Sequence, residues 1–242
     1  LDGGADPNAM YGLAVDVLRR MQSGDIVAEL PDYYASHVHK GRRRVVDWYL
    51  PAVQRDFVPA GAVESYLAVW DGIEKSLPPC PQGFLHIDYH VENLMFLPER
   101  YGLARCGVLD FQGAMRGALP YDLGNLLEDA RIDVAPDLRR AMLERYCETM
   151  STTEREIFTA WYRVVTTQFH CRVIGQFIRL ALVGGKTQYL KNIPRVAGYL
   201  DEALQHPLLA PLQEWFVCEG VDFKNPPRIE LDTLKHFIAK DA

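Results

Sequence analysis

Three polar residues near the middle of the chain have types and a spacing suited to phosphate chemistry. The segment His86–Asn93 reads His-Ile-Asp-Tyr-His-Val-Glu-Asn, and Asp-Phe-Gln follows at 110–112. In phosphoryl transfer, one carboxylate accepts the proton of the attacking hydroxyl, while an Asn and a second Asp hold Mg2+. The order therefore predicts Asp88 as a catalytic base and Asn93 and Asp110 as metal ligands. Their oxygen atoms are hard donors, which suit Mg2+ and not zinc.

Two short apolar runs indicate how these residues are positioned. The runs lie within Gly83–Phe96 and Gly107–Gln112, and a turn at 98–102 separates them. We therefore expect a β-hairpin that brings the three polar groups together. Each fragment also occurs in ordinary hydrogen-bonded turns, so it is the ordered combination that predicts a site.

The pattern His-x-Asp-x-x-x-x-Asn followed by Asp-Phe resembles the aminoglycoside phosphotransferase family. Asp-Phe-Gln, continued by Ala114, Gly117 and Tyr121-Asp122-Leu123, is similar more narrowly to the family's cell-wall recycling branch, the kinases that phosphorylate N-acetylmuramate and N-acetylglucosamine at the anomeric hydroxyl. The resemblance covers most of the chain and weakens after about Glu219. It implies ATP and Mg2+ as cofactors and a small-molecule sugar or amino-alcohol as substrate.

The resemblance also assigns supporting roles. His86 and Asp122 would support the catalytic loop, although Asp122 is equally compatible with a plain helix N-cap. We name four further residues as candidates for substrate binding: His90, Arg116, Glu128 and Asp129.

The predicted fold class is α+β, the mainly helical C-terminal lobe of a protein-kinase-like fold with a small hairpin that carries the catalytic loop. Residues 1–220 would form this lobe, and residues 221–242 a C-terminal tail. In the family, a smaller β lobe with a phosphate-covering loop and a Lys precedes it. Neither feature is found before the first predicted helix, so we expect the N-terminal lobe to be missing.

Local signals predict the helices. Asp6-Pro7 is typical of a helix start, and Gly24 can end that helix. Residues 32–76 and Leu123–Leu204 have helical periodicity, with a long apolar segment at Ile157–Leu182. We expect Met115–Pro120 to be a loop, with Asp122 capping the helix that follows.

Composition excludes several classes of protein. A formal net charge of -6 and a pI near 5.7 argue against nucleic-acid binding. A basic cluster at Lys40–Arg44 is the exception, as either a solvated helix face or a contact to an anionic ligand. Five scattered cysteines favour reduced thiols, and the sequence has no leader and no membrane-spanning run. We therefore expect a cytoplasmic protein; the oligomeric state stays open.

Two alternatives to the sugar kinase remain. One keeps the chemistry and changes the acceptor to an aminoglycoside, choline or homoserine. Aminoglycosides are polycations, and we expect Glu128 and Asp129 on an exposed charged surface that permits such a substrate. The other alternative is a nucleotide-binding protein without catalysis.

Overall fold

The computed structural model describes residues 6–24 and 29–238, which are mainly helical. The helices are, in chain order, α1 (Pro7–Gln22), α2 (His37–Lys40), α3 (Leu50–Gln54), α4 (Ala62–Lys75), α5 (Pro120–Leu127), α6 (Pro136–Tyr146), α7 (Thr152–Leu182), α8 (Ile193–Leu204), α9 (Ala210–Cys218) and α10 (Leu231–Leu234). A π-helical turn, Val45–Tyr49, precedes α3. The strands are β1 (Gln82–Leu85), β2 (Leu94–Phe96), β3 (Cys106–Val108) and β4 (Met115–Ala118).

Helix α1 begins as its sequence predicts. Asp6 is the N-cap, its carboxylate accepts a hydrogen bond of 3.0 Å from the Asn8 N–H, and Pro7 occupies the first helical position. This arrangement satisfies one of the free N–H groups at the helix start. The buried face of α1 then packs into a core with residues of α5, α6 and α7, including Tyr11, Val15, Leu18, Leu123, Leu126, Met142, Tyr146 and Phe158.

The strands form two antiparallel pairs, and this differs in part from the expected hairpin. Strands β2 and β3 are paired across the turn, with Leu94 opposite Val108. This pairing confirms the predicted hairpin for these two strands. Strand β1, however, pairs with β4, with Leu85 opposite Met115. The prediction of a loop at Met115–Pro120 is therefore wrong over its first four residues. The partner strand is about thirty residues away in sequence, so local turn signals could not show this pairing.

A glycine permits close packing of β4. A Cβ atom added to Gly117 would lie closer to the Tyr33 Cβ than van der Waals contact allows. The backbone of β4 is also hydrogen-bonded to residues 31–33. The Tyr33 N–H donates to the Arg116 carbonyl at 2.9 Å, and the Arg116 N–H donates to the Pro31 carbonyl at 2.9 Å. The segment 31–33 thus lies directly against β4.

Helix α5 begins one residue earlier than predicted. Pro120 is its first residue, and Leu119 is at the N-cap position. Asp122 therefore lies inside the first turn, and its expected role as the N-cap is wrong. Proline at the first helical position, with its fixed φ and missing N–H, is the physical reason for the start.

The described residues divide into two compact units. One is drawn from Leu1–Ser36 and Pro79–Thr166, and the other from His37–Pro78 and Thr167–Ala242. In the second unit, the residues after 220 contribute to the interior: Val221 and Phe223 are buried, and the Phe223 ring stacks on Tyr49 at a centroid distance of 5.5 Å. No helix in the described ranges has the length and apolar character needed to cross a membrane.

Candidate active site

The segment that carries Asp88 is held by side chains of α5. The Asp122 carboxylate accepts hydrogen bonds from the backbone N–H groups of His86 (2.6 Å) and Ile87 (2.8 Å). The Asn125 amide donates to the Ile87 carbonyl at 3.0 Å. The backbone N–H and the backbone carbonyl of Ile87 are therefore both bonded to side chains of α5.

This clamp stabilises a strained backbone. Ile87 has φ 79°, in the left-handed region that is unfavourable for a β-branched residue. Such a conformation costs on the order of 1–3 kcal/mol and persists only where the surroundings impose it. The consequence is a sharp turn that leaves Asp88 exposed between the buried residues Ile87 and Tyr89.

Asp122 itself is fully buried. Burial raises the pKa of its carboxyl group to about 7, although the hydrogen bonds from His86 and Ile87 oppose the shift. Burial favours the neutral acid because a charged group loses its hydration in the interior.

The backbone N–H and carbonyl of Leu109 connect the loop that carries Asp88 with the residues that follow β3, where Asp110 lies. Leu109 N–H donates to the Asn93 carbonyl at 2.9 Å, and the His86 Nε2 lies 2.9 Å from the Leu109 carbonyl oxygen. A carbonyl oxygen only accepts, so Nε2 carries the proton of this imidazole. Burial lowers the pKa of His86, which favours that neutral ring. Asp110 follows immediately, so its position is fixed relative to Asn93.

Each of the two predicted metal ligands also has a side-chain partner. The Asn93 Nδ2 donates to the Asp88 carbonyl at 2.9 Å and lies 3.3 Å from His90 Nε2. Since Nδ2 is used in this way, the amide oxygen is the atom left to face a ligand. Asp110 has φ 62°, and its carboxylate accepts a hydrogen bond from Gln112 Nε2.

His90 belongs to a partly buried polar cluster beside the loop. Its Nδ1 lies 3.9 Å from the Glu92 carboxylate, and Glu92 lies 3.7 Å from the Arg131 guanidinium. Asp129 accepts a hydrogen bond of 2.7 Å from Arg131 N–H. Burial lowers the pKa of His90 and raises the pKa of Asp129. The cluster therefore runs from buried His90 and Asp129, next to Asn93, out to the exposed Glu92.

The expectation that Glu128 and Asp129 lie on an exposed surface is wrong. Both are buried, and Glu128 accepts a hydrogen bond of 3.0 Å from the Tyr162 hydroxyl. Acidic residues are rarely buried unless they are paired, so their sequence position gave no sign of this. Arg116, the other candidate outside the loop, is exposed on β4.

Asn125 was missed from the sequence. It lies three residues after Asp122, which places the two side chains on the same face of a helix. That spacing at the start of α5 is the signal that could have identified a pair of loop-holding residues. Gln112 was likewise noted only as part of the Asp-Phe-Gln motif, and its bond to Asp110 is a finding of the structure.

The donor set fits Mg2+ and does not resemble an all-protein metal cage. Within residues 6–24 and 29–238, no group of three or more His, Cys, Asp and Glu side chains is placed to hold a metal ion. Mg2+ is commonly held by one or two protein oxygens together with waters and substrate phosphates. One amide and one carboxylate, from Asn93 and Asp110, are a contribution of this kind.

The fold is mainly helical α+β, and its clamped loop exposes Asp88, is bonded to Asn93 and is connected through Leu109 to the residue before Asp110. A profile of the Phosphotransferase enzyme family matches residues 2–157, and the chain belongs to this family. The resemblance drawn from the motif is thereby confirmed. A solved choline/ethanolamine kinase family protein from Mesorhizobium loti shares the fold, with a TM-score of 0.56 and 13% identity over 86% of this chain and 66% of that one.

Curated relatives have a common name. The N-acetylmuramate/N-acetylglucosamine kinase of Caulobacter vibrioides is 39% identical over 71% of this chain and 47% of its own length. The protein of the same name from Pseudomonas aeruginosa is 30% identical over 88% of this chain and 63% of its own length. The chain thus spans about half to two thirds of the length of these relatives.

Proposed function

We propose that this chain carries the catalytic residues of an ATP-dependent kinase that phosphorylates N-acetylmuramate and N-acetylglucosamine at the anomeric hydroxyl. The observation that carries the proposal is the clamped loop, because it exposes Asp88 while the Leu109 peptide ties Asn93 to the residue before Asp110. The names of the relatives support the choice of acceptor.

Asp88 is the proposed base. Its carboxylate would accept the proton of the sugar hydroxyl as the hydroxyl oxygen bonds to the γ-phosphorus of ATP. The bond from that phosphorus to the bridging oxygen breaks, and ADP leaves with the electron pair. The clamp from Asp122 and Asn125 would contribute by holding Asp88 in one position, since most of the catalysis in phosphoryl transfer comes from positioning and charge stabilisation.

Asn93 and Asp110 are the proposed holders of Mg2+. The ion, when bound, would neutralise charge on the phosphates. The hydrogen bonds of the Asn93 Nδ2 orient its amide oxygen outward, and Gln112 fixes one oxygen of Asp110. Both ligands would therefore be oriented before the ion binds.

The cytoplasmic location is also part of this proposal. The matched relatives are longer than this chain, so activity is to be tested on the complete gene product that contains these residues. The dependence on ATP supports a cytoplasmic setting. An aminoglycoside acceptor loses support, because Glu128 and Asp129 are buried and offer no exposed acidic surface.

The test measures phosphate transfer to N-acetylmuramate, N-acetylglucosamine, choline and kanamycin. We expect a sugar 1-phosphate, identified by phosphorus NMR, and no product from the other two compounds. Asp88→Asn should lower kcat by about 100-fold or more, the usual contribution of a general base. The exposed Asp137 on α6 gives the matched control, Asp137→Asn, with unchanged kcat.

Asp110→Ala tests the metal assignment in the same assay. We expect loss of turnover from a chain that still folds cooperatively; since Asp110 is exposed and has φ 62°, Ala should lower the melting temperature only slightly. Wild-type turnover in either Asp88→Asn or Asp110→Ala would contradict the assignment of that residue. Product from choline or kanamycin but from neither sugar would contradict the proposed acceptor.

A further inference from the structure

A cavity of about 500 Å³ lies within the unit formed by His37–Pro78 and Thr167–Ala242. One of its walls is the junction between the 3-10 segment Thr187–Asn192 and α8. The other wall is the chain at 226–229, which forms neither helix nor strand. Most of the lining is apolar: Leu190, Ile193, Pro194, Pro226, Pro227 and Ile229. Cavities of this size and character commonly bind small molecules.

The wall at 226–229 has little freedom to collapse into the cavity. Pro226 and Pro227 have a fixed φ and no N–H, and a proline also keeps the residue before it out of the helical conformation. The chain is anchored on both sides of the prolines. Phe223 is buried and stacks on Tyr49, and Leu234 of α10 is buried as well. The cavity is therefore held open by the covalent geometry of its wall.

The two walls are positively charged, although the chain as a whole has a net charge of -6. Segments 186–195 and 224–229 contain no Asp or Glu and five basic residues: Lys186, Lys191, Arg195, Lys224 and Arg228. Lys191 and Arg228 line the cavity itself, one from each wall. Both are exposed, and neither forms an ion pair within residues 6–24 and 29–238.

The acidic residues that flank the 224–229 segment are engaged with other groups. The Asp222 carboxylate accepts hydrogen bonds of 2.9 Å from the Lys224 N–H and from the Asn225 Nδ2. Glu230 forms an ion pair of 3.2 Å with Arg55. An apolar cavity lined by two uncompensated cations is complementary to a ligand that joins an apolar body to a negative charge.

We propose that this cavity binds a small organic anion with an apolar body, whose charged group is a carboxylate or a phosphate monoester. The apolar walls bury the body, and Lys191 and Arg228 bind the charged group. The paired N–H donors of a guanidinium match the oxygens of either group. The site consists of residues of one unit, and it uses neither Asp88 nor the proposed metal ligands.

Methyl NMR of the 242-residue chain, labelled at the isoleucine δ1 positions, reports on this cavity directly. Ile193 and Ile229 lie in its two walls, and the loss of a signal in Ile193→Val or Ile229→Val assigns it. Two further cavities, one lined in part by Met95 and one by Phe111, have no isoleucine among their described lining residues. Binding at those cavities therefore leaves the two signals in place.

Three aromatic probes separate charge from apolar character. They are 2-naphthoate, 2-naphthyl phosphate and 2-naphthamide, the last being the neutral isostere of the first. We expect the ring current of at least one bound anion to shift both signals. The amide should bind about 10-fold more weakly or less than that anion, because it lacks the charge-assisted hydrogen bonds. The affinity for the anion should also fall as NaCl is added.

Two variants locate the charged group of the ligand. Lys191→Gln and Arg228→Gln should each weaken anion binding by about 5-fold or more. Both residues are exposed, so neither substitution should change the melting temperature appreciably. Lys75→Gln removes the same charge from an exposed position of α4 in the same unit and should leave binding unchanged.

The outcomes separate the two charged groups and decide the proposal. Tighter binding of 2-naphthoate identifies a carboxylate ligand, and tighter binding of 2-naphthyl phosphate identifies a phosphate monoester. The proposal is overturned if neither anion shifts the two signals, if 2-naphthamide binds as tightly as the anions, or if either cavity variant binds like the wild type. Because no turnover is measured, this result is independent of the kinase proposal.

Discussion

Replacement of Asp122 by Asn should change the stability of the fold in a pH-dependent way. Asp122 is fully buried and accepts two backbone N–H bonds, from His86 and Ile87. The amide of Asn keeps one acceptor oxygen and places an NH2 group where the other oxygen was. One buried N–H then loses its partner, which costs about 1–3 kcal/mol at every pH.

The pH-dependent part follows from the raised pKa. The carboxyl has a pKa of about 7 in the folded chain and about 3.9 when exposed in the unfolded chain. Between these values the folded state binds a proton that the unfolded state does not, so this contribution to stability is present at low pH and is lost as pH rises through 7. The free energy of unfolding falls by about 1.4 kcal/mol per pH unit from pH 5 up to the folded pKa of about 7 and is then constant. The loss between pH 5 and pH 9 is therefore about 3 kcal/mol.

Urea denaturation of the wild type and of Asp122→Asn at pH 5 and pH 9 measures this difference. Other titrating groups, including His86 and His90, contribute to both proteins and largely cancel. We expect the substitution to be clearly destabilising at pH 5 and to cost about 3 kcal/mol less at pH 9. Asp137→Asn, at an exposed position of α6, is the control and should show no such trend. A difference between wild type and Asp122→Asn that is the same at both pH values would refute the reasoning.

Two further predictions concern packing and ligand orientation. His90→Leu removes the acceptor at Nε2 that helps to orient the Asn93 amide, so the Mg2+ concentration for half-maximal activity of the complete gene product should rise about 3- to 10-fold. His90→Gln keeps an acceptor near that position and should restore most of the affinity; an equal loss in both variants would contradict this role. Gly117→Ala should destabilise the 242-residue chain in urea by about 1–3 kcal/mol, because its Cβ would overlap Tyr33. The control Gly113→Ala has no atom within 4 Å of the added Cβ, and a comparable loss there would argue against overpacking as the cause.

Local chemistry made the start of α1 and the hairpin predictable. Asp6-Pro7 carries a cap and a fixed φ, and the turn at 98–102 has enough polar and glycine residues to reverse the chain. Strand β4 could not be seen in this way, since Arg116-Gly117 has the composition of a loop and its partners, β1 and residues 31–33, are distant in sequence. Pairing over such distances depends on tertiary packing and not on local propensity.

The candidate site shows the same division. The order of Asp88, Asn93 and Asp110 was sufficient to propose which side chains carry chemistry, and that assignment stays a prediction. The contacts that hold them could not be predicted. Ile87 has a left-handed backbone although it is neither glycine nor asparagine. Burial of Asp129 contradicts the usual preference of a carboxylate for water. Proline at position 120 was the available sign that Asp122 lies inside α5 and faces the loop.

The hydrogen bonds of Leu109 have a consequence for how freely the sequence can change. Its N–H and its carbonyl are both engaged, by Asn93 and His86, whereas its side chain is 45% exposed. The position of Asp110 relative to Asn93 therefore depends on the backbone N–H and carbonyl of residue 109, which almost every amino acid can supply. A randomised library at position 109 should accept most substitutions and select against proline, which has no N–H to donate. Engineers who wish to alter the rim of the site could begin at this position without disturbing its ligands.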